Sequence, residues 1–157
     1  MSGYPPGVQA GPRAPHGCLR LALDIERVLD VRARQAIRAE FRFDPGDPLT
    51  VAVELTIDGG RSVLWRIGRD LLRRGLDSVS GLGDVRIRPS GTSGTSGRRT
   101  ARLRLARGDM AALFELPVSP LARWLDRTYT LVPAGQELAG VDWDVTAADL
   151  LGGDPPR

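Results

Sequence analysis

The chain has 157 residues, of which 41% are hydrophobic and 26% charged. This composition fits one globular domain and argues against a chain that is disordered over its whole length. All 22 basic residues are arginine, the net charge is +3, and the one cysteine, Cys18, excludes an internal disulfide framework. No stretch approaches the roughly 18 consecutive apolar residues of a membrane span, and residues 1–17 lack the apolar core of a signal peptide. We therefore expect a cytoplasmic protein with no membrane insertion.

Residues 1–17 are rich in Pro and Gly and show no hydrophobic periodicity, so we predict a disordered tail there and another over residues 152–157. The domain itself is predicted to span residues 18–151. It begins with two stretches, residues 19–26 and 37–43, in which apolar and polar residues alternate. This alternation is the pattern of a half-buried strand.

The segment Asp44-Pro45-Gly46-Asp47-Pro48 predicts a turn, because its prolines end strand pairing and its glycine tolerates a positive φ. A third strand is predicted over residues 49–57 and a fourth over residues 63–67, joined by a tight hairpin turn at residues 58–60. The hydrophobic period then changes. Residues 70–76 predict a short helix, with Gly75 as its C-cap and an apolar pair formed by Leu71 and Leu72.

The second half of the chain repeats the strand pattern. Residues 79–83 are predicted to be a loop, and a fifth strand over residues 85–88 is expected to stop at Pro89. A Gly/Ser/Thr-rich loop is predicted at residues 90–97. A sixth strand over residues 101–105 and a seventh over residues 112–116 are predicted to follow, joined by a turn at residues 107–109.

Helical patterns follow the last strand. Ser119 is expected to cap a helix whose apolar stripe is Leu121, Trp124 and Leu125. After a loop, Thr146 is expected to cap a last short helix. About seven mostly antiparallel strands with two or three helices indicate the α+β class.

Few side chains in the sequence are suited to catalysis. The one histidine, His16, lies in the Pro/Gly tail, and with Cys18 it supplies two ligands where a tetrahedral metal site needs four. Asp142 and Asp144 would share one face of an extended segment and could divide acid and base roles, but a solvated position is the simpler interpretation. We therefore predict no catalytic residue, no cofactor and no metal ion.

Arginines alternate with apolar residues on the fifth and sixth predicted strands, and two more lie at the loop between them. If the strands pair, four guanidinium groups line one sheet face that could follow a phosphate backbone. A single-stranded nucleic-acid site also needs stacking aromatic residues, and none lies between Trp65 and Phe114, so a solvated or salt-bridged face is favoured. The candidates for this alternative are Arg86, Arg88, Arg98, Arg99, Arg102 and Arg104.

The predicted short helix carries a second arginine group. In a structural interpretation of this segment, Leu71 and Leu72 dock the helix on the sheet beside Trp65. The two residues before them, Arg69 and Asp70, then satisfy turn backbone. In a functional interpretation, arginines around an apolar centre would suit an acidic protein partner. The candidates for partner binding are Arg66, Arg69, Arg73 and Arg74.

Five blocks of sequence, in one order over about residues 19–151, resemble a known family. They include a Phe-Asp-Pro-x-Asp-Pro segment, a Trp-x-x-x-Arg-Asp-Leu-Leu-x-x-Gly-Leu block and a Gly-Asp-Val-Arg-x-x-Pro strand. The chain resembles the SsgA-like proteins of sporulating actinomycetes. The motif residues are Asp44, Pro45, Asp47, Pro48, Trp65, Asp70, Leu71, Leu72, Gly75, Gly83, Asp84 and Pro89.

The resemblance implies a non-enzymatic regulator of sporulation-specific cell division, located at division septa. It implies binding to division proteins such as FtsZ or a family paralogue, by recruitment or localisation. It also implies a Whirly-like fold of antiparallel strands and helices and a homotrimer. Phe43, Leu49 and Arg88 depart from the family pattern, which leaves the specific partner open.

Overall fold

The computed structural model describes residues 18–57, 60–92 and 97–136. The two predicted tails, the turn residues Asp58 and Gly59, and the predicted last helix lie outside the described residues. In chain order the elements are β1 (Leu19–Val28), β2 (Arg34–Phe43), β3 (Thr50–Ile57), β4 (Arg61–Gly68), α1 (Arg69–Gly75), β5 (Ser80–Leu82), β6 (Val85–Thr92), β7 (Arg99–Arg107), β8 (Met110–Pro117) and α2 (Val118–Leu131).

The eight strands form one antiparallel sheet in the order β4-β3-β2-β1-β8-β7-β6-β5. Each half of the chain is a meander of four strands followed by a helix, and the halves join where β1 pairs with β8. This junction is short, because only residues 26–28 of β1 pair with residues 113–115 of β8. The α+β prediction is confirmed, with one strand more than expected.

The sheet curls around a single hydrophobic core. Alternate residues on most strands are buried, as the period-2 patterns predicted. Leu55 of β3 and Leu105 of β7 line the same pocket, although three strands separate them in the sheet order. Helix α1 contacts β4 at one edge and both β5 and β6 at the other, so it bridges the two ends of the sheet.

The prediction of a loop over residues 79–83 is wrong in part, because residues 80–82 form β5. Leu82 pairs with Val85 across a two-residue turn in which Gly83 has a φ of +62°. A Cβ at Gly81 would lie 2.9 Å from the Val85 carbonyl oxygen, so the hairpin needs a glycine there. A strand of three residues with glycine at its centre is too short to show an alternation that a sequence pattern could detect.

Strand β6 does not stop at Pro89 but continues to Thr92. Its register against β7 shifts between Pro89 and Gly91, and Gly91 has a φ of +97°. A β-bulge of this kind accommodates a residue that cannot donate to the ladder. Pro89 therefore lies at a shift in register and does not end the strand.

The helix boundaries differ from the predicted caps. Gly75 lies inside α1, and Leu76 follows it in a right-handed helical conformation, so Gly75 is not a C-cap. A Cβ at Gly75 would lie 1.9 Å from Cγ2 of Ile87, so this glycine allows α1 to pack closely on β6. Helix α2 begins at Val118 after Pro117, and Ser119 lies within its first turn and does not cap it.

The predicted turn over residues 44–48 is confirmed. The Asp44 carboxylate accepts a hydrogen bond from the Gly46 amide at 2.8 Å, and the Asp44 carbonyl accepts one from the Asp47 amide at 2.8 Å. The Asp47 carboxylate in turn accepts one from the Thr50 hydroxyl at 3.1 Å. These bonds lead the chain directly into β3, where Thr50 is the first residue.

Candidate functional site

Arg69, the first residue of α1, is buried in the core with 1% of its surface exposed. Its Nη1 donates to the Thr128 carbonyl at 3.0 Å, and its guanidinium lies 4.0 Å from the ring centre of Tyr129 and 5.0 Å from that of Phe43. These contacts join the start of α1 to the last turns of α2. Arg69 was a candidate for the exposed rim of a partner site, and its burial removes it from that surface.

Arg69 and Asp70, the two residues expected to satisfy turn backbone, contact α2 instead. The Asp70 carboxylate accepts a hydrogen bond from the Tyr129 hydroxyl. Arg73 donates to Asp126 of α2 at 3.3 Å and to Asp77 at 3.0 Å. Asp70 and Arg73 therefore hold α1 against α2, and Arg73 has its charge already paired.

Arg66 and Arg74, the remaining two partner candidates, lie around one groove of about 340 Å³. The groove is formed by the end of β4, one face of α1 and the β5–β6 hairpin. Its apolar lining includes Leu71 and Leu82, and Leu82 is 80% exposed. Arg74 makes no ion pair among the described residues, whereas Arg66 lies 3.8 Å from Asp47. We call this surface the α1 groove.

Leu72 is fully buried and Leu71 half-buried, so Leu72 provides most of the contact that docks α1. The Trp65 ring stacks under the Arg107 guanidinium at 4.6 Å and lines a pocket whose lining includes no residue of α1. The expected packing of α1 beside Trp65 stays a prediction.

The two arginine-bearing strands, β6 and β7, are paired, which is the condition set for four guanidinium groups on one sheet face. Arg86 of β6 lies opposite Arg104 of β7, and Arg88 lies opposite Arg102. Arg102 is 3.5 Å from Glu115 of β8, while the other three are exposed and form no ion pair within the described part of the chain. We call Arg86, Arg88, Arg102 and Arg104 the arginine face.

Glu115 connects the arginine face to the other half of the sheet. Arg34 of β2 donates to it at 2.7 Å, and Arg34 also lies 3.5 Å from Glu26 of β1. Burial alone would raise the pKa of Glu115. Hydrogen bonds from Arg34 and Thr100 and the charges of Arg34 and Arg102 nevertheless hold that pKa below its ordinary value.

The two loop arginines do not both extend the arginine face. Arg99 is the first residue of β7 and donates to the Leu76 carbonyl at 3.2 Å, just beyond the end of α1. It also lies 3.7 Å from Asp77. Arg98 is exposed and precedes the strand. Arg99 therefore belongs to the α1 side of the molecule.

The described residues contain no cluster of side chains suited to hold a metal ion. No group of three or more His, Cys, Asp or Glu side chains in residues 18–57, 60–92 and 97–136 is placed to hold a metal ion. Cys18 is half-buried at the start of β1. His16, Asp142 and Asp144 lie outside the described residues. None of the described helices is long and apolar enough to cross a membrane.

Residues 37–137, which run from within β2 to beyond the end of α2, match the family model described as Streptomyces sporulation and cell division protein, SsgA. The chain belongs to the SsgA family. Its predicted assignment to the SsgA-like proteins is thus confirmed.

Several relatives of the SsgA family match most of the chain. One, the sporulation-specific cell division protein SsgB of Salinispora tropica, is 43% identical over 74% of this chain and 81% of the relative. The SsgB protein of Frankia casuarinae is 32% identical over 90% of this chain and 97% of the relative.

Solved structures of the family share the fold. A crystal structure of an SsgA-like sporulation-specific cell division protein from Thermobifida fusca matches with a TM-score of 0.72. The two chains are 30% identical, and the match covers 85% of this chain and 96% of that one. A structure from work on SsgB mutations and longitudinal cell division during sporulation of Streptomyces coelicolor also gives a TM-score of 0.72, at 30% identity over 78% of this chain.

Sequence reasoning missed one surface of this SsgA-family chain, the pocket beneath Trp65. It collects side chains from β1, β3, β4, β7 and β8. The alternation of Val63, Trp65 and Ile67 indicated that these three share a face. No pattern in the sequence could show that the curled sheet brings that face close to Leu105 and Phe114.

Proposed function

We propose that this chain is a non-enzymatic regulator of sporulation-specific cell division that acts by binding other proteins. Its membership of the SsgA family carries the proposal, since the matched relatives are sporulation-specific cell division proteins. We propose FtsZ or a family paralogue as its partner and the cytoplasmic side of division septa as its location. Recruitment or localisation of septum proteins would be its action.

The α1 groove is the surface that we propose for this binding. It combines an apolar centre, formed by the half-buried Leu71 and the exposed Leu82, with the guanidinium groups of Arg66 and Arg74 at its border. An apolar centre surrounded by charge is the usual composition of a protein interface. Arg69 and Arg73 support the groove from behind through their contacts with α2.

Binding to purified FtsZ and to purified family paralogues tests the proposal. We expect Arg66→Glu combined with Arg74→Glu to weaken the interaction by about tenfold or more, because both charges reverse at the edge of the apolar centre. Arg123→Glu combined with Arg127→Glu is the matched control, since both are exposed on α2 and form no ion pair among the described residues.

Two results would count against this proposal in different ways. Equal binding by the two double variants would remove the α1 groove from the interaction. Absence of binding to every division protein tested, together with a diffuse fluorescent fusion in sporulating cells, would remove the protein-binding function itself.

We also propose a Whirly-like scaffold and a homotrimeric assembly. Strand β5 ends the sheet, and within the described residues it pairs with β6 only. A free edge of this kind needs cover to prevent unwanted pairing, which a second copy would supply. Light scattering should give a mass three times the 16.9 kDa of one chain, and a mass of one chain would contradict the trimer.

A second candidate function, binding of single-stranded nucleic acid, is favoured by the arginine face. Four guanidinium groups lie in two directly opposed pairs, and three of them have no acidic partner in the described residues. Fluorescence anisotropy with a labelled oligonucleotide should then show an affinity that falls steeply with salt and is lost in Arg86→Glu with Arg104→Glu. No binding at about 50 mM salt would exclude this function.

A further inference from the structure

A pocket of about 220 Å³ lies at the open end of the curled sheet, away from the α1 groove. Its lining is almost entirely apolar, and Trp65 forms one wall. Leu55 of β3, Leu105 of β7 and Phe114 of β8 also line it. Val63 and Met110 stand at its border and are 43% and 74% exposed. We call this cavity the Trp65 pocket.

Two arginines complete the Trp65 pocket. Arg107 stacks its guanidinium on the Trp65 ring, and Arg27 is half-buried against the apolar lining. Neither forms an ion pair with any described residue, including Asp109 in the turn next to Arg107. An adjoining groove that shares Arg27 adds Arg104 as a third cation. The pocket thus combines an apolar interior with positive charge that the described structure leaves uncompensated.

The Trp65 pocket also borders a sheet edge. Val63 and Trp65 belong to β4, the last strand of the sheet, whose other side has no strand partner among the described residues. Leu64, which points to the opposite face of β4, is 47% exposed. An edge strand with unpaired backbone groups next to an apolar pocket is the arrangement used for recognition by strand addition.

We propose that the Trp65 pocket binds an extended acidic peptide of a partner protein, which adds to the free edge of β4. A bulky apolar side chain of the peptide enters the pocket, and acidic residues beside it pair with Arg27 and Arg107. Backbone hydrogen bonds to β4 supply sequence-independent affinity, while the pocket and the two guanidinium groups select the peptide. This inference rests on the proposed protein-binding function and names a second contact surface for it.

Selection from a library of random peptides of about twelve residues, displayed on phage and applied to the immobilised full chain, tests the chemistry directly. We expect enriched sequences that place an aromatic or branched aliphatic residue between Asp or Glu residues. A labelled synthetic peptide of the most enriched sequence should then bind in an anisotropy titration. Enrichment of basic sequences, or of none, would overturn the proposal.

Variants locate the bound peptide. Arg27→Glu with Arg107→Glu should weaken its binding by about tenfold or more, and Ala112→Trp, which fills the pocket from β8, should do the same without changing charge. Arg66→Glu with Arg74→Glu should leave its binding unchanged. Thermal unfolding of each variant shows whether it is folded, and equal peptide binding by all folded variants would overturn the proposal.

Three further measurements distinguish a bound partner peptide from two other occupants of the Trp65 pocket, the chain's own C-terminal segment and a second copy of the chain. The first is hydrogen–deuterium exchange. The bound peptide should slow amide exchange in β4, and slowing confined to β5 or to other strands would contradict strand addition. Trp143→Ala in the full chain should bind the peptide as the natural chain does. A gain of about tenfold would instead identify the chain's own C-terminal segment as the occupant, and competition by unlabelled protein would identify a second copy.

The two proposals fail separately. If division partners bind, and Arg27→Glu with Arg107→Glu changes neither their binding nor that of the peptide, the proposal for the Trp65 pocket is wrong and the proposed function stands. If the peptide binds at the pocket but no division protein does, the pocket is a peptide site and the proposed function is wrong.

Discussion

Arg69 is the residue on which the contact between the two helices most depends. A buried guanidinium is stable only where hydrogen bonds and other favourable contacts compensate its lost hydration, and here the Thr128 carbonyl and two aromatic rings do so. We expect Arg69→Ala to lower the free energy of unfolding by about 2–4 kcal/mol, from the lost charged hydrogen bond and the lost cation–π contacts. Urea unfolding followed by circular dichroism measures the change.

Arg66→Ala is the control for this prediction, because Arg66 lies three residues earlier, is exposed and has one ion pair at 3.8 Å. Its removal should change the free energy of unfolding by about 0.5 kcal/mol or less. Arg69→Lys should remain destabilised, since an ammonium group cannot reproduce the planar contact with Tyr129. If Arg69→Ala were no more harmful than Arg66→Ala, the packing described for Arg69 would be wrong.

At the scale of elements, the position of α1 depends on a close approach to β6. Since a Cβ at Gly75 would lie 1.9 Å from Ile87, Gly75→Ala must displace the helix or the strand. We expect it to lower the free energy of unfolding by about 1–3 kcal/mol, despite the better helix propensity of alanine. Gly68→Ala is the control, because a Cβ there would meet Leu71 at an ordinary 3.6 Å and should be tolerated.

A double-mutant cycle tests the assigned cause. Ile87→Ala removes the clashing methyl group at the expense of a core cavity. If the clash is the reason for the loss, Gly75→Ala should cost less in the Ile87→Ala background than in the natural chain. Strictly additive losses would show that Gly75 is needed for another reason.

Helix α1 and strand β6 also show how much of the fold the sequence can predict. Period-2 alternation located most strands and placed the arginines of the arginine face on one side of each of their two strands, because a strand's two faces follow directly from its residues. It could not reveal the burial of Arg69, whose hydrogen-bond partner Thr128 lies 59 residues away in the chain. Gly75 was wrongly predicted as a helix cap for a related reason. Its close neighbour, Ile87, lies in β6, and the sequence around Gly75 does not show that contact.

At the scale of the whole molecule, the candidate surfaces depend on how the two meanders are held together. Their strands pair only along the short β1–β8 junction, where Arg34 and Glu115 add a side-chain link, and the contacts of α1 with β5, β6 and α2 join them elsewhere. The Trp65 pocket exists because residues of both meanders converge on it, and no local pattern predicts such a convergence. A change that loosens the junction should therefore affect the pocket as well as the stability of the fold.

Glu115 is the side chain on which this junction most depends, because it links β8 to Arg34 of β2 and to Arg102 of β7. Its pKa in the folded chain lies below the ordinary value of 4.5, so its stabilisation is fully present above that value. The stabilisation is lost as the pH falls through the folded-state pKa. We expect Glu115→Gln to lower the free energy of unfolding by about 1–2 kcal/mol at pH 7.

That deficit should shrink as the pH falls below 4.5, because the natural carboxylate then becomes protonated and loses its advantage over the amide. Urea unfolding of both chains at a series of pH values measures the difference, in which the titration of all other groups cancels. Asp24→Asn is the control, since its ion pair with Arg38 at 2.9 Å is exposed and should contribute little at any pH. A Glu115→Gln deficit that stays constant from neutral to acidic pH would show that the glutamate acts through packing alone, and that charge does not hold the two meanders together.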